Sequence, residues 1–189
     1  GDQMHGDQMH GDQMHGDQEI WVTCRDDAEV AVLDAGTLSV LRTIQLPAAS
    51  RPYGLVLSPE GDRAYVALDA LGAVVELDTA TGSVRRSFDV GPNPRGLALT
   101  ADGARLLASR FISPPVPGEA TATPETSSAR GEVRVVALDA AGEARVIPLA
   151  HSDRVDGSVQ GRGVPNYLGA PVVSPDGLTA WVPSKQDNV

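Results

Sequence analysis

The chain repeats itself. The stretch from Ile20 to Val66 opens on an aromatic–valine pair, Trp21-Val22, and closes on another, Tyr65-Val66, and the next stretch follows the same course. Leu33-Asp34 recurs as Leu77-Asp78, a shift of 44, while Gly54 recurs as Gly96 and Gly61 as Gly103, both shifts of 42. Gly103 recurs as Gly177 after 74 residues, one period of 42 lengthened by an insertion. A period in the low forties marks units that cannot bury their apolar face alone and so stack neighbour on neighbour.

Within each period the apolar residues alternate at period two. Val30 and Val32, Leu38 to Leu46, Leu55 to Leu57 and Ala64 to Ala67 form four short runs. Alternation with β-branched residues predicts strands. Turn residues separate the runs: Asp34-Ala35-Gly36, Pro52-Tyr53-Gly54 and Ser58-Pro59-Glu60-Gly61, then Asp78 to Gly82, Pro92-Asn93-Pro94 and Asp102-Gly103. Four strands per period with no helical segment predict an all-β chain of four-stranded antiparallel β-propeller blades. The strands nearest the propeller axis are expected near 20–24, 64–68, 106–110 and 180–183. The 189 residues hold about three blades and part of a fourth, whereas propellers close with roughly four to eight. The chain therefore reads as part of a longer protein, and its last residues, Gln186 to Val189, complete neither strand nor turn. Open strand edges of this kind pair with the remaining blades or with another copy.

The pattern Tyr-Val-Thr-Asn, V-x-V-[IL]-D, x-T-G-x-V, Gly-x-x-Pro-x-Gly and Ser-Pro-Asp-Gly is similar to the YVTN family of β-propeller repeats. The tetrapeptide stands here as Trp21-Val22-Thr23-Cys24, Tyr65-Val66-Ala67-Leu68, Leu107-Ala108-Ser109-Arg110 and Trp181-Val182-Pro183-Ser184, with Asn never in fourth place. Gly91 to Gly96 and Ser174-Pro175-Asp176-Gly177 match closely. The resemblance covers 19–111 and 132–184. A narrower one rests on Arg110 to Ser113, on Tyr167 to Gly177 and on Trp181 to Asn188. These resemble bacterial exported propellers joined to c-type cytochrome or di-haem peroxidase-like domains. That resemblance implies a periplasmic or extracellular location and haem c carried outside this segment.

The organisation divides at residue 18. Residues 1–18 are a pentapeptide repeat, GDQMH, and 19–189 are the propeller segment, with polar insertions at 112–131 and 151–164. Two readings of the tail stand side by side. His5, His10 and His15 with Met4, Met9 and Met14 offer imidazole and thioether donors that suit weak Cu or Ni binding. Period five fits neither helix nor strand, so the tail also reads as a low-complexity appendage without fold. The first insertion reads as a loop, alternatively as one that holds a partner.

Composition narrows the function classes. A formal net charge of −10 and the absence of a basic stripe argue against nucleic acid. The single cysteine, Cys24, excludes an internal disulfide, and no Cys-x-x-Cys-His motif is present. No apolar run approaches the roughly 18 residues of a membrane span. No signal-peptide pattern opens the chain, which begins inside a repeat tract. Aromatics make up 4%, so the core must be built from Val, Leu and Ala.

No nucleophile constellation stands out. Outside the tail the only histidine is His151, and there is no Gly-x-Ser-x-Gly elbow. Asp34, Asp78 and Asp139 recur at one blade position and read as turn-capping carboxylates. By register, Arg25, Arg110 and Lys185, mixed with Asp27 and Asp187, fall around one end of the channel, where an anionic ligand or a partner's acidic surface would bind. The function expected is a non-catalytic propeller module that binds a partner or orients a redox domain in a larger periplasmic, cytochrome c-linked protein. The alternative is a propeller enzyme, a lactonase-like hydrolase or a dehydrogenase, with its active site at the channel mouth.

Overall fold

The computed structural model describes residues 18–114, 117–118, 130–138, 142, 144–152 and 163–187. These form strands and no helix. The first sheet has three antiparallel strands in chain order: β1 (Glu19–Cys24), β2 (Glu29–Asp34) and β3 (Val40–Gln45). The second and third sheets have four each. They are β4 (Pro52–Leu57), β5 (Arg63–Leu68), β6 (Ala73–Asp78) and β7 (Val84–Asp89), then β8 (Pro94–Leu99), β9 (Arg105–Arg110), β10 (Glu132–Ala137) and β11 (Ala144–Pro148). Two pairs follow: β12 (Val164–Asn166) with β15 (Lys185–Asp187), and β13 (Val172–Val173) with β14 (Ala180–Trp181). The chain is thus an all-β stack of propeller-type blades.

The stack is held by three cores, one in each gap between sheets. Alternation along β5 shows how one strand serves two of them. Ala64, Val66 and Leu68 join Val30, Val32, Ile44, Leu46, Val75 and Leu77 in the gap to the first sheet. Tyr65 and Ala67 point the other way and join Val74, Phe88, Leu97, Leu106, Ala108 and Val136. The third gap holds Leu107, Val133 and Leu168, with Val173 and Val182 against them. Strand geometry sends successive side chains to opposite faces, so a strand covered on both sides has no polar alternate. That explains the continuous apolar run Ala64 to Leu68.

The same run misleads about the axis. The strands expected innermost, 20–24, 64–68, 106–110 and 180–183, exist as β1, β5, β9 and β14, but each of β5, β9 and β14 is second in its sheet. β5 and β9 are buried because they are paired on both edges and covered on both faces, whereas β14 pairs only with β13 and is exposed. The first strands approach one another most closely instead. A Cβ on Gly54 in β4 would lie 2.0 Å from the carbonyl oxygen of Arg95 in β8, and one on Gly96 would lie 2.5 Å from Cα of Ala170. Sheets that converge there have their first strands nearest the axis. Pro52-Tyr53-Gly54 is accordingly the start of β4 rather than a turn, and Gly54 is required by this close approach.

Two arginines fasten the outer parts of the sheets. Arg42 on β3 grips Glu19 through two nitrogens, at 2.6 and 3.1 Å, and donates to the carbonyl of Thr79 in the next sheet at 3.0 Å. Arg86, 44 residues on, grips Glu76 at 2.8 and 2.5 Å and donates to the carbonyl of Leu138 at 2.9 Å. Each forked cation therefore joins a carboxylate of its own sheet to the backbone of the next, which is a use suited to the planar guanidinium.

Candidate functional site at the channel mouth

The residues before the first strands repeat an unusual backbone. Arg51 precedes Pro52, Asn93 precedes Pro94, and Tyr167 precedes Leu168 at the same register position. All three have positive φ, 51°, 55° and 48°. None is glycine. Asparagine visits this region readily, but Arg and Tyr do so at roughly 1–2 kcal/mol. Strain of this kind persists only where surrounding structure holds it, and here backbone bonds do so. Asp69 N donates to the Arg51 carbonyl at 3.1 Å, and Phe111 N to the Asn93 carbonyl at 2.9 Å. These turns thus tie the entries of β4 and β8 to the exits of β5 and β9.

Above these ties lies a row of rings and cations. The Arg95 guanidinium sits 4.8 Å from the Tyr53 ring centroid and 3.8 Å from that of Phe111. It also donates to the buried carboxylate of Asp69 at 3.1 Å. Phe111 meets Tyr167 edge to face at 5.3 Å and 73°. Lys185 Nζ stands 5.2 Å from the Tyr167 ring. Contacts of this kind contribute about 0.5–2 kcal/mol each. The row spans the second, third and last sheets, so it fixes the relative positions of their mouth loops. Tyr53 and Tyr167 remain 47% and 39% exposed, leaving ring surface open to solvent.

Both insertions leave the fold beside this row. Ser113 N donates to Asn166 Oδ1 at 2.8 Å, and Ser113 Oγ to the Arg130 carbonyl at 2.7 Å, which closes the base of the first insertion. Ser152 N donates to the Gly163 carbonyl at 3.0 Å and closes the base of the second. Ser113 and Asn166 are 2% and 8% exposed, a polar pair satisfied inside the rim.

Of the residues expected here from the sequence, each faces a different neighbour. Arg25, in the β1–β2 turn with the exposed Asp27, has Nη1 3.5 Å from Asp26. Arg110, at the end of β9, turns to Glu132 at 3.7 Å, and Glu132 also holds Arg134 at 2.9 Å. Lys185 joins the row at Tyr167. Asp187 pairs through its backbone with Val164. The sequence reasoning missed Tyr53, Arg95, Phe111 and Tyr167. The signal available for Tyr53 and Arg95 was the shared register position after Pro52 and Pro94 at the start of each first strand; Tyr167 stands at the place before those prolines, and Phe111 directly follows Arg110.

Other candidates separate from the mouth. Asp34 Oδ1 accepts from Gly36 N and Thr37 N at 2.9 and 2.6 Å, and Asp78 Oδ1 from Thr81 N at 2.8 Å, so both cap turns. Arg85 and the Thr81 bonds pull the Asp78 carboxyl down to about 2. Asp139 lies outside the described residues, as do His5, His10, His15, Met4, Met9 and Met14. Among the described residues no group of three His, Cys, Asp or Glu is placed to hold a metal. No helix among them is long and apolar enough to cross a membrane. A groove of about 610 Å³ lies between the third sheet and the β13–β14 pair, lined by Leu107, Val135, Ile147, Val173 and Ala180 with Arg105 and Arg145 at its side.

No protein-family model matches the chain. Over 89 residues it is 33% identical to the uncharacterized protein YncE of Salmonella typhimurium (strain LT2), and equally to that of Salmonella typhi. The aligned stretch is 47% of this chain and 24% of each relative, so the chain spans about a quarter of the length of these relatives.

Proposed function

We propose that this segment is a non-catalytic binding module whose channel mouth holds an acidic protein surface. The observation that carries this reading is the convergence on one end of the stack. Three strained turns, the Tyr53–Arg95–Phe111–Tyr167–Lys185 row and the bases of both insertions all lie there. A chain of net charge −10 still turns Arg25, Arg51 and Lys185 outward at this end. Long cations beside exposed tyrosine rings suit a protein partner, because Tyr, Trp and Arg dominate such contacts.

The finer reading makes the partner a redox domain. The resemblance of Arg110 to Ser113 and Tyr167 to Asn188 to propellers joined to c-type cytochromes supports it, and with it a periplasmic location and haem c outside this segment. A complete coding sequence bearing Cys-x-x-Cys-His motifs supports that reading, and one without them overturns it.

The binding reading is tested with a short poly-glutamate peptide as probe, titrated by calorimetry at low and high salt. Saturable binding is expected that weakens with salt, since exposed charges are screened over about 10 Å at 0.1 M. The Arg51→Glu, Lys185→Glu double variant, with unchanged circular dichroism, is expected to lose it. No binding at low salt, or equal binding by the variant, overturns the proposal.

A further inference from the structure

The turn that enters β4 differs from its sister in three adjoining residues. Residues 47–51 lie between Leu46 and Pro52, whereas the shorter turn 91–93 lies between Val90 and Pro94. Both finish on the same backbone shape. Positive φ recurs at alternate positions, 58° and 51° at Ala49 and Arg51, 71° and 55° at Gly91 and Asn93. Glycine and asparagine adopt that region readily, while alanine and arginine do so at a cost. The middle residues differ too. Pro92 is exposed, which places this position at the mouth surface, yet Ser50 is 0% exposed.

Ser50 is held through its backbone alone. Its N–H donates to the Pro47 carbonyl and its carbonyl accepts from Ala70 N, both at 3.1 Å. Among the described residues its Oγ has no hydrogen-bond partner. The other buried side-chain atoms in that condition are Nε of Arg42, Arg63, Arg110 and Arg134, whose guanidinium groups each reach a carboxylate. A buried hydroxyl with no partner is unfavourable. Beside it, the exposed Arg51 guanidinium has no hydrogen bond or ion pair among the described residues. Tyr167, strained at the same register, has its ring engaged by Phe111. Backbone strain, an unpaired hydroxyl and an unpaired cation thus fall on Ala49, Ser50 and Arg51 together.

We propose that Ser50 and Arg51 are a carboxylate-binding pair, and that the Ala49–Arg51 turn swings outward to present the Ser50 hydroxyl when an acidic side chain arrives. This rests on the reading of the mouth as a site for an acidic surface and names two donors within it. The hydroxyl donates to one carboxylate oxygen and the guanidinium to the other, both as charge-assisted bonds. Opening breaks the Ser50 bonds to Pro47 and Ala70. It also returns Ala49 and Arg51 to ordinary backbone angles and gives the hydroxyl a partner, which offsets that loss. The Arg51 carbonyl, still held by Asp69 N, is the pivot.

The test uses Ser50→Ala and Ala49→Gly in the full chain, with the poly-glutamate peptide as probe at low salt. Ser50→Ala removes a buried polar group that bonds to nothing, so its Tm should equal or exceed that of the wild type. Its association constant for the peptide should fall about tenfold, the loss of one hydrogen bond to a charged group. Ala49→Gly keeps both donors but relaxes the closed turn, so it should also bind more weakly. In the wild type, saturating peptide should speed amide exchange at Ala70, which loses its acceptor, whereas binding to a closed turn would slow it or leave it unchanged. A lower Tm for Ser50→Ala makes the hydroxyl structural and overturns the proposal whatever the peptide does. Wild-type affinity in either variant, or Ala70 exchange that does not rise, overturns it while the acidic-surface reading stands. A wild type that does not bind the peptide overturns both.

Discussion

Gly54→Ala isolates the contact that aligns the first strands. The new Cβ would lie 2.0 Å from the Arg95 carbonyl oxygen, 3.2 Å from its carbon and 3.4 Å from Cγ of Leu97. The first of these is more than 1 Å inside ordinary contact, and the obstacle is backbone, so no rotamer change relieves it. β4 and β8 must separate. Opening packed surfaces by 0.5–1 Å forfeits about a quarter to a half of each dispersion contact along the seam. Overpacking of this kind costs about 1–3 kcal/mol. For a chain of this size that lowers Tm by roughly 2–4 °C per kcal/mol, hence about 2–12 °C. Gly61→Ala supplies the comparison. Its Cβ would meet nothing within 4 Å, so its cost comes only from φ at 74°, about 1–2 kcal/mol. The two variants separate by location: Gly54→Ala also displaces Arg95 from Tyr53, so acrylamide quenching of tyrosine emission should rise only there. Thermal melts by circular dichroism measure the stability. A Gly54→Ala protein with wild-type Tm and quenching would refute the close approach, and with it the placement of the first strands nearest the axis.

Arg86→Met leaves the 2%-exposed Glu76 carboxylate with only the distant Arg63, 3.9 Å away. Breaking a buried pair from one side costs about 3–5 kcal/mol, and Arg86 itself remains 36% exposed, so a loss at or below the lower end is expected in urea melts. Adding Glu76→Gln should recover part of it. Acid should destabilise the fold in a defined window. Asp78 has its carboxyl lowered from 3.8 to about 2 by Arg85 and Thr81. A depressed carboxylate stabilises above its unfolded value and loses that contribution as pH falls through the folded one. Tm should therefore drop as pH falls from about 4 toward about 2, and Asp78→Asn should flatten that drop. Glu19, held low chiefly by Arg42, adds to the same trend.

The repeat was legible because packing in a stacked sheet is written twice in the residues. Alternation names the faces, and the shift of 42 to 44 names the next sheet. Turn carboxylates were legible for the same local reason: Asp34 and Asp78 bond backbone two or three residues on. The order of strands from the axis outward was not legible. Hydrophobicity ranks β5 highest because it is central, whereas nearness to the axis depends on a missing side chain. Gly54 reads as a turn residue beside Pro52 until a second strand is known to pass 2.0 Å from its absent Cβ.

The mouth resists sequence reading for a further reason. Arg95 follows Pro94 in one blade, yet its ion pair is with Asp69 and its stacking partner Tyr53 lies in the blade before. A charge counted by position, as Arg110 was, says where a side chain starts and not where it ends. Arg110 ends at Glu132, while the adjacent Phe111 turns into the row. Asp69→Asn therefore tests whether the row depends on the ion pair as well as on the rings. Asp69 is 4% exposed, so an amide there keeps the volume and removes the charge that holds Arg95. With Asp69 neutral, Arg95 keeps its two rings but loses the charge-assisted bond, which contributes about 1.5–3 kcal/mol. If the rings alone position it, nuclear magnetic resonance shifts of Tyr53, Phe111 and Tyr167 stay at wild-type values and only stability falls. The expected result is the other one: the shifts of all three rings move together, because the guanidinium at 3.8 Å from Phe111 is held there from the Asp69 side. Unmoved shifts in a folded Asp69→Asn protein would show that the blades align their mouth loops without this pair.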